Sequence, residues 1–349
     1  MFAKKKFRDI DLNDEFFDSL KQDYAEFPAW FAKKADSDAY VLTDDETQRI
    51  HGFLYLKIEE GEVEDVVPPL PPAKRLKVGT LKINAHGTKL GERFIKKIFD
   101  HAIYEDVEEI YVTVFEQHEG LIRLLNRYGF QQAALKPTIN GVEQVLIKYI
   151  FAPYKDVLTS YPLVAINGSK SYLLSIQPQW HTRLLPDSIL NNEGQDIVQD
   201  VSHTNSIHKV YLASMRGMDV LQPRDVLLIY RTTDNQGPAR YRSVATSLCV
   251  VEEYRSIHSF RSEDEFLIYC SPYSVFDEAE LREFWRHKRY VHVVRFAYNI
   301  ALKRRITRAE LIDEVGLNSD VYWGFMPLTN AQVTEIANRG GVDARLIVN

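Results

Sequence analysis

The stretch His86-Gly87-Thr88-Lys89-Leu90-Gly91 has the residue types and spacing to hold phosphate. It follows a strand-like run, "LKVGTLKINA" at 76–85, and leads into "KLGERFIKKIFDHAI". In that second segment Leu90, Phe94, Ile95, Ile98 and Ala102 share one helical face. Glycine weakens helices, so two glycines around a first helical turn mark a backbone that must bend tightly or be approached closely. The first amides of a helix are unpaired donors at the positive end of its dipole, and glycine lets an anion reach them without meeting a Cβ. Lys89 adds a cation if its side chain turns inward. A ligand-free strand-to-helix turn satisfies the same pattern, so the surrounding elements must separate the two readings.

Those elements alternate in the first half of the chain. Phe16, Phe17, Leu20, Tyr24 and Phe27 line one side of a helical repeat, and Pro28 divides the segment 14–34 into two short helices. Two strands follow at 39–45 and 50–60, and the prolines at 68, 69, 71 and 72 predict an irregular loop before the strand at 76–85. A β-branched strand at 108–116, a helix at 119–130 stopped by Gly129, and a hairpin around "PTING" complete the series. Residues 151–162 contain two prolines and no period, which predicts a linker between a first domain (1–150) and a second (163–349).

This order of elements, with the Gly-rich turn and a helix ending in Gly129-Phe130, resembles the GNAT superfamily of acetyl-CoA-dependent N-acetyltransferases over residues 10–150. The family loop usually reads Arg/Gln-x-x-Gly-x-Gly/Ala. Gly87 and Gly91 match it, while His86 stands for the Arg or Gln and Lys89 for the middle glycine. The resemblance implies an α/β fold, a GNAT-like mixed sheet with flanking helices, and acetyl-CoA as the cofactor. It implies that His86, Gly87, Thr88, Lys89, Leu90 and Gly91 hold the pyrophosphate, and that Ile83 and Ala85 offer backbone groups to the pantetheine arm. Leu125 stands where the family often has a tyrosine that protonates the departing thiolate, and His118 where an Asn often contacts the cofactor. Leu125 has no proton to give, so the expected acid moves to Tyr128 or His118. A protonated amine has no lone pair, and Glu59, Glu60 and Glu116 at strand ends are the candidate bases.

The second half is strand-rich, with strands expected at "PLVAI", "SYLLSIQ", "HKVYLAS", "DVLLIYRTT", "YRSVATSLCVVEEY", "EFLIYC" and "YVHVVRFAYNIAL". Its helices are expected at "DEAELREFWRHK", "TRAELIDEVG" and "TNAQVTEIANRGG". The stretches "SYLLSIQPQWHTRLLPDS", "LQPRDVLLIYRTT" and "YRSVATSLCVVEEY" resemble the PUA-like superfamily (PUA, EVE and ASCH domains), which implies a small β-barrel of a kind that often binds RNA or captures modified bases. Residues 282–308 concentrate cations (Arg282, Arg286, Lys288, Arg289, Arg295, Lys303, Arg304, Arg305 and Arg308) against Glu283 alone. Phe284, Trp285, Tyr290, Phe296 and Tyr298 interleave with them. Cations beside stacking rings suit single-stranded nucleic acid, although a solvated face over core aromatics reads the same way. Trp180, His181, Arg183 and Arg231 form a second cluster at loop and strand edges where a base pocket is expected.

A net charge of −6 excludes a chain that coats nucleic acid over its whole surface. No apolar run approaches the about 18 residues of a membrane span, and "MFAKKKFRD" lacks the apolar core of a signal peptide. Cys249 and Cys270 sit in strand-like contexts with no Cys/His cluster, so no metal is expected and a reducing cytoplasm fits. The leading expectation is an acetyl-CoA-dependent N-acetyltransferase whose second domain presents RNA or an RNA-linked acceptor. The alternatives are a non-catalytic coenzyme-A-binding RNA reader and a transferase acting on protein or small-molecule amines.

Overall fold

The computed structural model describes residues 2–44, 47–84, 90–152, 155–186 and 206–348, and the chain divides into two compact units, Met1–Ile150 and Phe151–Asn349. In chain order the first unit holds β1 (Phe2–Lys6), α1 (Asp18–Asp23), α2 (Phe27–Lys33), β2 (Asp38–Thr43), β3 (Ile50–Val63) and β4 (Leu70–Ile83). It continues through α3 (Leu90–Tyr104), β5 (Glu109–Phe115), α4 (Glu119–Arg127), β6 (Gln131–Thr138) and β7 (Gly141–Tyr149). The strands form one mixed sheet in the order β1-β2-β3-β4-β5-β7-β6, parallel only between β4 and β5. Pro28 sits in the first turn of α2, where its missing N–H costs nothing. Phe7, Phe16, Phe17, Phe27, Phe31, Phe53 and Tyr55 pack into an aromatic core beside α1 and α2. Phe94, Ile95, Ile98, Phe99 and Ala102 of α3 are fully buried, as their spacing predicts.

Two readings of the first half change. The N-terminal "FAKKK" is a strand paired with β2, its lysines answered by Asp38 of the partner strand. The proline-rich stretch is not a loop throughout, because β4 begins at Leu70 and runs through Pro71 and Pro72. Both prolines lie exposed at the start of the strand, beside a register shift between Gly61 and Val63, where absent N–H groups remove few ladder bonds.

The second unit begins with α5 (Val157–Ser160), β8 (Val164–Ala165), β9 (Ser171–Ile176), α6 (Pro178–Leu184), β10 (His208–Ala213), β11 (Val226–Arg231), α7 (Ala239–Arg242) and β12 (Val244–Ser256). It continues through α8 (Glu263–Cys270), α9 (Glu278–His287), β13 (His292–Thr307), α10 (Arg308–Asp313), β14 (Phe325–Leu328), α11 (Asn330–Arg339) and β15 (Ile347–Val348). Six strands run in the order β10-β13-β12-β11-β9-β14, and β8 pairs with β15 apart from them. The expected barrel is not closed among the described residues, since β10 and β14 remain edges. The rim of β10 is covered instead by the segment after α8, whose Tyr273 carbonyl accepts from the Val210 amide at 3.0 Å. "EFLIYC" is the helix α8 rather than a strand. Ser262 caps it by accepting from the Glu265 amide at 3.1 Å, and three acids occupy its positive end. Cys270 is therefore helical; Cys249 lies on β12, and both thiols are buried and free.

Candidate functional site

In the first unit β4 and β5 stay together for only four residues each, Arg75–Val78 against Glu109–Val112. Arg75, 1 % exposed, fastens the closed end: its Nε donates to Glu109 Oε2 at 2.7 Å and its Nη1 to the Gly61 carbonyl at 3.0 Å. Beyond Val78 the strands separate, β5 following β7 and β4 following β3. At that point the β3–β4 ladder shifts register, leaving Gly79 as the extra residue of a bulge between the pairs Leu56–Val78 and Tyr55–Thr80. A Cβ on Gly79 would stand 2.7 Å from a ring carbon of Tyr55, so the ring leaves no room there for a side chain. The gap is a cavity of about 340 Å³, walled by Val78–Leu81, by Val112–Val114, and by Tyr24, Phe27, Trp30 and Leu121.

Two tyrosine–carboxylate pairs line this cavity or border it. Tyr24 stacks on Phe115 with centroids 5.3 Å apart and donates to Glu143 Oε1 at 2.7 Å. Burial, then this carboxylate, push its phenol well above the ordinary value. Tyr111 donates to Glu59 Oε2, and burial followed by the same kind of contact raises it too. Glu59 also accepts from Lys57 at 3.0 Å, with Lys77 Nζ 3.7 Å away. Burial pushes Glu59 upward, but these donors outweigh it and hold the carboxyl below its ordinary value. Burial lowers the Lys77 ammonium. His118 opens α4, lines the cavity, and places Nε2 3.5 Å from Asp23 Oδ2.

Of the residues expected from sequence, Ile83 ends β4 opposite Gly52, and Leu90 and Gly91 open α3. Ala85, His86, Gly87, Thr88 and Lys89 lie outside the described residues. A Cβ on Gly91 would come 2.6 Å from Leu124 Cδ2, so close packing of α3 on α4 is itself a reason for glycine there. His118 and Glu59 both line the cavity. Glu116 and Glu60 are exposed, and Tyr128 and Leu125 are fully buried and do not line the cavity.

The second unit holds a cavity of about 470 Å³ lined by Tyr211, Tyr230, Tyr290, Tyr322, Trp323 and Arg308, with small polar residues between them. Ser175 fixes the Trp323 loop: its Oγ donates to the Trp323 carbonyl at 2.6 Å and its amide to Gly324 at 2.9 Å. The Arg308 guanidinium lies 4.4 Å over the Trp323 ring.

The residues expected to bind nucleic acid are placed unevenly. His181 and Arg231 are buried. His181 Nε2 meets Thr246 Oγ1 at 2.8 Å, and burial, then the charges of Arg231 and Arg305, lower its pKa to about 3. Trp180 leans on Phe276 at 4.9 Å and carries the Arg183 guanidinium 5.6 Å above its ring. Arg305 is half-buried on the Leu302 carbonyl, Arg304 pairs with Glu310, Arg282 with Glu263 and Glu278, and Arg295 with Glu252. Arg286, Arg289 and Lys303 are exposed and have no ion pair among the described residues. Phe296 and Tyr298 are buried, while Phe284, Trp285 and Tyr290 pack against the core. The described residues contain no cluster of three or more His, Cys, Asp or Glu side chains placed to hold a metal ion, and no helix long and apolar enough to cross a membrane.

No family model matches the chain, and no curated protein does. Among solved structures it is similar to a chain of the NatC complex bound to Gag peptide and CoA, with TM-score 0.30 and 17 % identity, over 42 % of this chain and 96 % of that one. Arabidopsis thaliana NAA60 in complex with acetyl-CoA gives TM-score 0.31 and 16 % identity over 44 % of this chain and 100 % of that one. A ZmASCH mutant protein from Zymomonas mobilis gives TM-score 0.32 and 10 % identity over 49 % of this chain and 96 % of that one. Each likeness spans less than half of this chain.

Sequence reasoning missed Tyr24, Tyr111, Glu143 and Lys77. Tyr24 reads as one more apolar position on a helix, and its partner Glu143 is 119 residues away. Strand alternation puts Tyr111 and Thr113 on one face of β5, which was the available signal.

Proposed function

We infer that the first unit transfers an acetyl group from acetyl-CoA to a primary amine. The observation that carries this reading is the parting of β4 and β5 at the Gly79 bulge. Past Val78 the edge of β4 facing the gap has no strand partner among the described residues, so its peptide groups suit an extended amide-bearing arm such as pantetheine. The described start of α3 at Leu90–Gly91 suits the pyrophosphate, because the first amides of a helix are donors at its positive end. Acetyl-CoA supplies an activated thioester carbonyl. The chain's residues orient the amine against it and exclude water, which is the larger part of the catalysis required.

With Tyr128 buried and Glu116 outside the cavity, proton transfer falls to His118, which Asp23 orients. Tyr24 and Tyr111 keep their protons at neutral pH and serve as donors that position their carboxylates. Thermal shift with acetyl-CoA tests the reading: a ligand that binds only the folded state must raise its stability, and no shift at saturation overturns it. Radiolabelled acetyl-CoA with total RNA and total protein then identifies the acceptor class.

For the second unit we propose presentation of single-stranded nucleic acid, most simply RNA. The ring-lined cavity beside Arg308 supports stacking, and Arg286, Arg289 and Lys303 supply cations not already spent on carboxylates. Binding whose affinity is flat with salt overturns this reading.

A further inference from the structure

Among the described residues, three lysines line the cavity of the first unit, and they are not equivalent. Lys34 reaches over the Tyr55 ring at 5.6 Å, and the side chain of Lys57 is 48 % exposed. Lys77 lies at the apex of the parting, one residue before the last β4–β5 pair, opposite Tyr111 on β5 and Lys57 on β3. Its side chain is 23 % exposed, and its Nζ sits 3.7 Å from Glu59 and 5.3 Å from the Tyr111 ring centroid. Lys82 is a useful contrast on the same strand. Burial lowers it as well, but its ammonium donates to the Phe16 carbonyl and to Ser19 Oγ at 2.6 Å, and it does not line the cavity.

We propose that Lys77 is a self-acetylation site, modified by the acetyl thioester held in the cleft of its own chain. This rests on the acetyl-CoA reading of that cleft. Burial lowers the Lys77 ammonium, so a larger share of it is the free amine that aminolysis needs. The neutral Nζ adds to the thioester carbonyl carbon, the N–C bond forms, and the C–S bond breaks. The sulfur leaves with the electron pair and takes up the proton that the amine loses, giving free thiol and N-acetyl-lysine. No oxidant or reductant takes part. The product has no charge, so Glu59 keeps Tyr111 and Lys57 but loses its third partner, and the added acetyl group occupies the apex of the cavity.

The experiment is peptide mass mapping of the full chain after incubation with acetyl-CoA, run beside a thermal shift with the same compound. The expected result is one acetyl group on Lys77, appearing with a half-time that does not change on tenfold dilution of the protein. Lys77→Arg should lose this label, while Lys33→Arg, at an exposed lysine outside the cavity, should keep both the label on Lys77 and the thermal shift. A thermal shift without label on Lys77 overturns self-acetylation and leaves cofactor binding intact. Labelling of Lys77 that slows on dilution, or that only matches exposed Lys33 and Lys155, also overturns it. Absence of both shift and label overturns the cofactor reading as well.

Discussion

The run 282–308 in the second unit and the cleft between β4 and β5 in the first differ in how much of their character composition conveys. The run is dense in arginine and lysine, yet three of its nine cations, Arg282, Arg295 and Arg304, are answered by carboxylates outside it, Glu263, Glu252 and Glu310. The cleft has near-balanced charge and no conspicuous motif at its centre, yet its backbone leaves an inward edge open. A local count of cations is a property of sequence, whereas a charged face is a property of what folds against it. Openness in a sheet is a matter of register, which composition does not encode.

Arg295 is the most firmly held cation of the run. Its Nε lies 3.1 Å from Glu252, a carboxylate 5 % exposed that also meets His208 Nδ1 at 2.5 Å. Arg295→Leu should cost about 3 kcal/mol in urea unfolding, because it strands a buried charge. A loss below about 0.5 kcal/mol would put Arg295 among the surface cations.

On the other side, Gly79→Val should cost about 1–3 kcal/mol by forcing a side chain against Tyr55. It should also abolish the thermal shift with acetyl-CoA, and a folded variant with the full shift would place the ligand elsewhere.

His181 sharpens the contrast within the second unit. Its folded pKa of about 3 lies below the ordinary 6.5, so below 6.5 the unfolded chain takes up a proton that the folded one does not. Stability should therefore fall by about 1.4 kcal/mol per pH unit as pH drops from 6.5 toward 3. His181→Gln should flatten that limb in chemical denaturation, and an unchanged limb would show that the proton goes elsewhere. The smallest effect on stability belongs to the combined change Arg286→Ala, Arg289→Ala and Lys303→Ala, within about 0.5 kcal/mol per site. Its readout is the salt dependence of RNA binding, whose log–log slope should become shallower by about 2.

Much of the fold is legible in the sequence because periodicity reports burial. The α3 stripe, the Pro28 break, the Gly129 stop and the hairpin after it all follow from local rules. The failures have equally local causes. "EFLIYC" is apolar enough for a strand, but Ser262 and three acids before its core commit it to helix. Pro71 and Pro72 break ladders in general, though not where a strand begins beside a register shift. At the site the sequence reveals His118 and Glu59 as candidates. It conceals the Tyr24–Glu143 and Tyr111–Glu59 contacts, which exist only once distant strands and helices meet.

The Gly79 bulge gives the first unit a seam in the middle of its sheet. Sheets normally confine adhesive backbone to their rims, where lysines, prolines and covering loops discourage unwanted neighbours. Here the aromatic side chains of Tyr24, Phe27 and Trp30 stand beside the seam instead. Any extended segment of suitable width could dock there as an added strand, so a ligand in the gap also acts as a guard against misassembly. Amide hydrogen exchange along Thr80–Ile83 would register that guarding directly, as slowed exchange on the gap-facing groups whenever the seam is filled.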